Sequence, residues 1–317
     1  MKALKIAVLM GGPSTEREVS LRSGTAVANA LAGAGASVMP VDIKDSAFTM
    51  LTNVDVAFIA LHGTFGEDGT LQRMLDKGGI TYTGSGAEAS TRAFDKIAAK
   101  KAFLMAGIPT PKYEVFDRAH TDLKRLAEIG FPLVVKPSRQ GSSVGISIVQ
   151  GEGDLQEACR IAWHYDDHLL AEQFIAGREL TVGILDGRAL PVIEIRPKHD
   201  FFTYEAKYTK GQTEYLVPAP LDKALESQVK SLALRTHDCL GCRDFSRVDL
   251  ILSETGEPLV LEVNTVPGFT ETSLVPMAAH AAGIEFPDLC GRLVQLAMAR
   301  RKQRGAPDMA DKETVPV

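Results

Sequence analysis

The sequence predicts two architectures in one chain, an α/β amino-terminal unit on a parallel sheet and then an α+β portion rich in hairpins. Three observations carry this. Strand and helix patterns alternate through about the first ninety residues, the order that yields a parallel sheet with helices on its faces. Two prolines in Ile108-Pro-Thr-Pro111 then mark a boundary. Beyond it, short apolar runs are joined by turn signals at Asp186-Gly187 and Thr255-Gly256.

Each element has a local reason. Residues 5–10 form an apolar run ending in Gly11-Gly12, a buried strand running into a loop. Ser14 and Thr15 with Glu16 and Glu18 open a helix whose predicted inner face carries Val19, Ala26, Val27, Ala30 and Leu31. Strands follow at 37–41 and 54–61. Ligands in such sheets sit at the carboxyl ends of the strands, so 11–17 and 62–69 are the loops to watch. A helix over 87–105 leads to the proline boundary. Strands at 133–136, 146–149 and 169–173 then surround a helix at 154–164. Two hairpins, separated by a helix over 223–239, and two closing helices complete the pattern. Residues 199–220 hold aromatics among charges without a period, as expected of a lid, and 305–317 reads as a frayed tail.

Composition narrows the function classes. At roughly 150 residues per domain, the 317 residues suggest two domains, or three small ones sharing a site. Lys plus Arg number 35 against 40 Asp plus Glu, a net charge of −5, and no basic block exceeds Arg300-Arg301-Lys302. A nucleic-acid partner is therefore not expected. The apolar run at 6–10 is too short for a signal-peptide core, and no run is long enough to span a bilayer. These features predict a cytoplasmic chain with no membrane partner and with reduced cysteines. Cys239 and Cys242 have redox spacing but no second pair nearby, and read as structural.

The second hairpin carries the strongest chemical signal. Side chains alternate faces along a strand, so Arg247 and Asp249 share a face, as do Glu262 and Asn264. A two-residue turn at Thr255-Gly256 places Asp249 opposite Glu262 and Arg247 opposite Asn264, gathering all four on one side. A three-residue turn would shift the register by one and break up the set. Facing carboxylates about 5 Å apart need positive charge between them. Arg247 can supply it, and an oxygen set of Asp, Glu and Asn also suits Mg²⁺.

A second signal is Val134-Val-Lys-Pro-Ser-Arg-Gln-Gly-Ser-Ser-Val-Gly145, a buried strand delivering Lys136 to a loop of Gly and Ser. Its backbone N–H groups and hydroxyls can face phosphate oxygens, with the lysine as a point charge. The letters Gly141-Ser-Ser143-Val-Gly145 also match a nucleophile elbow, but that motif needs a following helix and here a strand is predicted. Gly84-Ser-Gly86-Ala-Glu-Ala89 matches a dinucleotide fingerprint yet falls late in the sheet, so it reads as a tight turn opening a helix. A nucleotide-dependent dehydrogenase is the alternative it leaves open. His62 closes a buried strand at the ligand edge, where structural and functional roles weigh equally.

Taken together, Gly11-Gly-Pro-Ser-Thr-Glu-Arg-Glu-Val-Ser20, Leu61-His-Gly with Gly66-Glu-Asp-Gly69, Tyr82-Thr-Gly-Ser-Gly86, Lys136-Pro-Ser with Gly141-Ser-Ser-Val-Gly145, Glu205-Ala-Lys-Tyr208 and Glu262-Val-Asn264 with Pro267-Gly268 closely resemble the D-alanine-D-alanine ligase family of the ATP-grasp superfamily. The resemblance runs from about Lys5 to Arg300 and implies a Rossmann-like parallel sheet (pre-ATP-grasp) followed by a two-part ATP-grasp fold. Its expected divisions are 1–95, 96–178, 179–303 and a tail at 304–317. It implies ATP as substrate, with Lys96, Lys136, Ser143 and Lys207 on its phosphates, Glu172 at the adenine and Glu179 at the ribose. Asp249, Glu262 and Asn264 would hold two Mg²⁺ or Mn²⁺ ions. Glu16 and His62 would serve the first D-alanine, with Ser142 and Tyr208 in the proton network. Arg247 and the N–H of Gly268 would meet the oxyanion, and Ser273 with Leu274 the second D-alanine's carboxylate. A homodimer is also implied, and a ligase joining D-lactate is the close variant. Gln173 and Val266 depart from the family pattern at positions that often carry Lys and Ser.

Overall fold

The protein is described by a computed structural model over residues 4–46, 51–119, 123–197 and 213–303. Lys207, Tyr208, residues 199–212 of the expected lid and the tail 304–317 lie outside the described residues.

The amino-terminal sheet is parallel, as the alternation requires. Strand β1 (Lys5–Gly11) lies between β2 (Ser37–Ile43) and β3 (Val56–Ile59). Helix α1 (Arg17–Gly33) covers one face and α2 (Thr70–Lys77) follows β3. The inner face of α1 is wider than expected: Val27 and Leu31 are buried as predicted and Ala26 and Ala30 pack at its edge, but Ser20, Ser23, Gly24 and Ala28 are buried with them, and Val19 is only half-buried. Two serines face inward because each satisfies backbone groups of neighbouring segments. Ser20 Oγ accepts from Gly11 N at 2.8 Å and donates to Ala60 O at 2.7 Å.

The single helix predicted over 87–105 is two, α3 (Ala87–Phe94) and α4 (Lys96–Met105). Asp95 breaks it. Its backbone is extended and its carboxylate accepts from Ile97 N and Ala98 N, a new N-cap. The break sets Lys96 at the first position of α4.

Beyond the prolines, β4 (Tyr113–Asp117), β5 (Leu133–Pro137), β6 (Ser147–Val149) and β7 (His168–Gln173) form an antiparallel sheet in the order β4-β7-β5-β6. It carries α5 (Leu123–Ala127) and α6 (Glu152–Ala162), and its core includes Leu133, Val135, Leu155, Cys159 and Leu169.

The third sheet runs β11-β10-β8-β12-β13, with β9 beside β8. Its strands are β8 (Gly177–Leu185), β9 (Arg188–Ala189), β10 (Ile193–Pro197), β11 (Thr213–Leu216), β12 (Phe245–Ser253) and β13 (Pro258–Asn264). The Asp186-Gly187 hairpin is as predicted, both residues taking positive φ. Helices α7 (Lys223–Cys239), α8 (Leu274–Ala281) and α9 (Phe286–Gln303) close the chain.

The apolar clusters do not follow chain order. Ile6, Val8, Val27 and Phe58 of the amino-terminal unit share a core with Phe245, Phe269 and α9. Ala99 and Phe103 of α4 pack with Val182, Val248 and Val260 of the third sheet. The expected division at 95/96 falls next to a helix whose apolar side packs on the carboxy-terminal sheet while its lysines reach the central one.

Phe58 contacts Phe269 at a ring separation of 5.7 Å and is fully buried. Phe58→Ala should cost about 3–5 kcal/mol. Because this core joins both ends of the chain, urea unfolding should stay a single transition with a lower midpoint. An early, separate loss of the amino-terminal unit would contradict a shared core.

Candidate active site

The hairpin of β12 and β13 gathers the four polar residues, by a route other than the predicted one. Its turn is three residues long, since Ser253 N donates to Glu257 O at 3.0 Å, and Leu252 faces Pro258. Left alone, that turn would set Leu261 against Asp249. Instead the ladder shifts between Asp249 and Leu250, with Val260 opposite Leu250 and Glu262 opposite Asp249. Leu261 is the extra residue of a β-bulge. The bulge restores the pairing of Asp249 with Glu262 and Arg247 with Asn264.

Arg247 and Asp249 form a fork, Nε to Oδ1 at 2.9 Å and an Nη to Oδ2 at 2.7 Å. Thr181 Oγ1 donates to Oδ1 at 2.6 Å and Asn264 Nδ2 to Oδ2 at 3.0 Å. Burial would lower the pKa of Arg247, but the adjacent Asp249 charge outweighs it and raises it. Beside this set, Lys96 Nζ lies 3.4 Å from Glu262 Oε2 and donates to Gln140 O at 2.5 Å. Lys96 thus ties the carboxylate face to the Gly/Ser loop.

That loop is strained in a way two serines rarely tolerate. Ser142 has φ 50° and Ser143 φ 59°, a left-handed pair that costs energy in residues with a Cβ. Ser142 Oγ donates to Glu16 Oε1, 126 positions away. Glu16 precedes α1, so this contact joins the amino-terminal unit to the central one. The letters resembling a nucleophile elbow are followed by strand β6, as predicted.

Lys136 and Glu172 meet directly at 2.5 Å, both almost wholly buried. The sequence reading missed their third partner. Lys100 is fully buried, pairs with Glu172, and donates to Thr110 Oγ1 and to Val260 O. Burial would raise the Glu172 carboxyl, yet the charges of Lys100 and Lys136 hold it below the usual range. Burial brings Lys100 down to about 8 despite Glu172. A signal existed: Lys96, Ala99, Lys100 and Phe103 share one helical face, and a lysine amid that apolar face needs a buried partner. Glu179 stands half-buried on β8, in register with Ile195 and Ile251.

His62 is buried with both ring nitrogens engaged. Nδ1 lies 2.8 Å from Val266 O and Nε2 3.0 Å from Ser23 Oγ. Burial opposes its protonation, but Glu67, 3.8 Å away, raises its pKa. Proton transfer by this ring would have to break one of these bonds. Gly268 follows Val266-Pro267, and next to it Ser273 stands at the start of α8, its Oγ accepting from Thr270 N at 3.0 Å rather than from the helix. The N-terminus of α8, with Leu274 first in the helix, faces the same region and favours an anion. Gly84 has φ 86° and Gly86 precedes α3, so the fingerprint-like stretch is a turn and helix start. Cys239 and Cys242 are free, and burial pushes the Cys239 thiol to about 11 and that of Cys242 to about 12.

Three sheets meeting around buried lysines, a Gly/Ser loop and a carboxylate hairpin make the ATP-grasp fold, and solved structures of that fold superpose on this chain. Family models match at two places, the D-ala D-ala ligase N-terminus over 44–85 and the D-ala D-ala ligase C-terminus over 103–295. A D-alanine--D-alanine ligase from Syntrophotalea carbinolica is 50% identical over 299 residues, 94% of this chain and 97% of the relative. One from Methylacidiphilum infernorum is 48% identical over 300 residues, 95% and 97% of the two chains. The Bacillus anthracis D-alanine--D-alanine ligase structure superposes with a TM-score of 0.87 at 36% identity, covering 96% of this chain and all of that one. Its complex with ATP gives 0.85 at 33% identity with the same coverage, and a D-Ala:D-Ser ligase from Enterococcus faecalis gives 0.83 at 31%, covering 93% and 99%. The chain belongs to the D-alanine-D-alanine ligase family.

Glu172→Gln should leave Lys100 and Lys136 buried without their anion, lowering stability by about 3–5 kcal/mol at pH 7. Because the folded carboxyl sits below its ordinary 4.5, its contribution is full above that pH and fades as pH falls through the lower value. Urea midpoints of wild type and variant should therefore converge on acidification. A constant gap down to the acid limit would contradict the assignment.

Proposed function

We propose that this chain joins two D-alanines into D-alanyl-D-alanine with ATP as the energy source, releasing ADP and phosphate for peptidoglycan synthesis. The observation that carries the reading is the Glu16–Ser142 contact beside the Lys96–Glu262 pair. It sets an ammonium-binding carboxylate of one unit against the phosphate-type loop of another. Cytoplasmic location and a homodimer are part of the proposal and rest on the family. Among the described residues no helix is long and apolar enough to cross a membrane.

A carboxylate is a poor electrophile, so the first D-alanine must become an acyl phosphate before the second amine attacks it. Glu16 orients the first ammonium. Lys96, Lys136 and, from the lid, Lys207 hold the triphosphate, with the Ser142-Ser143 backbone turned toward it. Glu172 meets the adenine and Glu179 the ribose. Entry of the nucleotide draws Lys136 toward phosphate, while Lys100 stays to compensate Glu172. Phosphoryl transfer depends on such positioning and charge neutralisation rather than on a covalent nucleophile. Ser142 and Tyr208 relay the proton of the attacking ammonium, and Ser273 with Leu274 hold the second carboxylate. Arg247 and the Gly268 N–H meet the oxyanion that develops at the acyl carbon.

Asp249, Glu262 and Asn264 present two carboxylates and an amide on one face, hard oxygens that fit Mg²⁺ or Mn²⁺. Asp249 already accepts from Arg247, Thr181 and Asn264, so holding an ion there would require its carboxylate to give up one of those bonds. A pair of such ions, when bound, would supply charge neutralisation on the phosphates.

Purified protein with ATP, Mg²⁺ and D-alanine should release phosphate and dipeptide together. Release with L-alanine but not with the D-isomer would refute the proposal. The D-Ala:D-Ser neighbour makes the second substrate worth varying, and D-alanine should outcompete D-serine and D-lactate at neutral pH. Glu262→Gln should keep its circular dichroism and melting temperature, weaken Mn²⁺ binding in the presence of ATP by electron paramagnetic resonance, and stop phosphate release. Unchanged Mn²⁺ binding would remove Glu262 from the ligand set.

A further inference from the structure

Ser23 is fully buried on α1 and bonded to the loop that carries Gly268. Phe269 N donates to Ser23 Oγ at 3.1 Å. Ser23 Oγ also lies 3.0 Å from His62 Nε2, and His62 Nδ1 lies 2.8 Å from Val266 O. The proton bookkeeping has one consistent solution for the neutral ring. A carbonyl only accepts, so Nδ1 carries the hydrogen and donates to Val266 O. Nε2 then accepts, and the hydroxyl of Ser23 donates to it while accepting from Phe269 N. In that form the chain of donors runs Phe269 N–H, Ser23 O–H, His62 N–H, Val266 C=O, and closes a ring around Pro267 and Gly268; a protonated ring would keep the same contacts with Nε2 donating to Ser23 Oγ instead.

We propose that Ser23 and His62 form a latch that positions the Gly268 N–H for the oxyanion, making Ser23 a positioning residue for the second chemical step. The proposal rests on the ligase reading above. Both ends of the four-residue loop are held from the amino-terminal unit, one by each residue of the latch. Its apolar anchors are Val266, buried with Leu61 and Tyr82, and Phe269, whose ring packs on Phe58, Phe245 and Phe286 at 5.7, 5.5 and 5.7 Å. Rings fix where the loop lies, and the latch fixes which way its peptide planes face. Proline at 267 has no N–H to donate, so Gly268 N–H is the loop's inner donor between the two clamped ends. The residue also explains the unexpected inner face of α1. Ser20, one turn earlier, clamps β1 to the end of β3, and Ser23 extends the same polar stripe to the carboxy-terminal loop.

The chemistry separates the two steps. In the first, a carboxylate oxygen of D-alanine bonds to the γ-phosphorus and ADP leaves. In the second, the amine nitrogen bonds to the acyl carbon, its carbonyl electron pair moves onto oxygen, and phosphate then leaves as the carbonyl re-forms. Only the second step creates an oxyanion. Loosening the latch should therefore slow dipeptide synthesis while leaving reversible acyl-phosphate formation in place.

The test uses ATP labelled with ¹⁸O in the β,γ-bridge and the whole enzyme with Mg²⁺. Positional isotope exchange in the presence of D-alanine reports the first step, and dipeptide formation reports both. Ser23→Ala should lower kcat for dipeptide by about 10- to 100-fold, the scale of a displacement under 1 Å, with KM for ATP changed less than about twofold. The ratio of exchange to synthesis should rise. Ser20→Ala breaks the matching clamp elsewhere and serves as the stability control: its Tm should fall comparably without that rise. If Ser23→Ala fails to fold, Ser23→Cys, which keeps the volume but bonds weakly, should show a smaller rise of the same sign. Exchange and synthesis falling together in Ser23 variants, or the same ratio change in Ser20→Ala, would overturn the latch. Wild-type enzyme showing neither exchange nor dipeptide would instead overturn the ligase reading itself.

Discussion

A carboxylate taken out of water must be met by positive charge, and the centre of this molecule is organised around that requirement. Asp249 is held by Arg247, Glu262 by Lys96, and Glu172 by Lys100 and Lys136. Arg247 and Asp249 share β12, but the partners of Glu262 and Glu172 come from α4 and from a neighbouring strand, so those charges are satisfied only once the elements are docked. The break at Asp95 belongs to the same device. It sets Lys96 at a helix start, and one turn later Lys100 reaches Glu172. Buried ion pairs are weak sources of stability against apolar packing, and the retention of Arg247–Asp249 and of two lysines on Glu172 here is better explained by work done on a charged ligand.

The apolar structure agrees with this arrangement. One core runs from the amino-terminal sheet to α9 through Phe58 and Phe269, and another joins α4 to the carboxy-terminal sheet. The central sheet keeps a core of its own. Two of the three layers are thus welded together, and the unit that carries the Gly/Ser loop meets them through polar contacts such as Glu16–Ser142 and Lys96–Gln140. Chemistry that must admit a nucleotide and exclude water is well served by a rigid floor and a separately packed cover.

Much of this was legible in the sequence. The parallel sheet, the Asp186-Gly187 hairpin and α7 followed from period and turn chemistry, and α7 has the predicted bounds. What the sequence concealed was whatever depends on a partner far along the chain. The inner face of α1 carries Ser20 and Ser23 because of backbone groups elsewhere, and hydrophobic period alone finds Val27 and Leu31 but not that polar stripe. The carboxylate hairpin shows the same limit. The predicted pairing is correct although the predicted turn is not, since a bulge at Leu261 compensates for one added turn residue, and no local signal distinguishes Leu261 from its neighbours. Lys100 was visible as a charge on an apolar face but needed Glu172, on another sheet, to give it meaning.

The central claim is that the acids of β12 and β13 and the lysines at 96 and 136 form one nucleotide-binding surface. A crystal structure with magnesium and a non-hydrolysable ATP analogue tests it most directly. The triphosphate should lie between the Gly/Ser loop and the Asp249–Glu262 face, with Lys136 turned from Glu172 to phosphate and Lys100 still on Glu172. A nucleotide bound away from that face, or Lys136 and Glu172 still joined beneath it, would contradict the account.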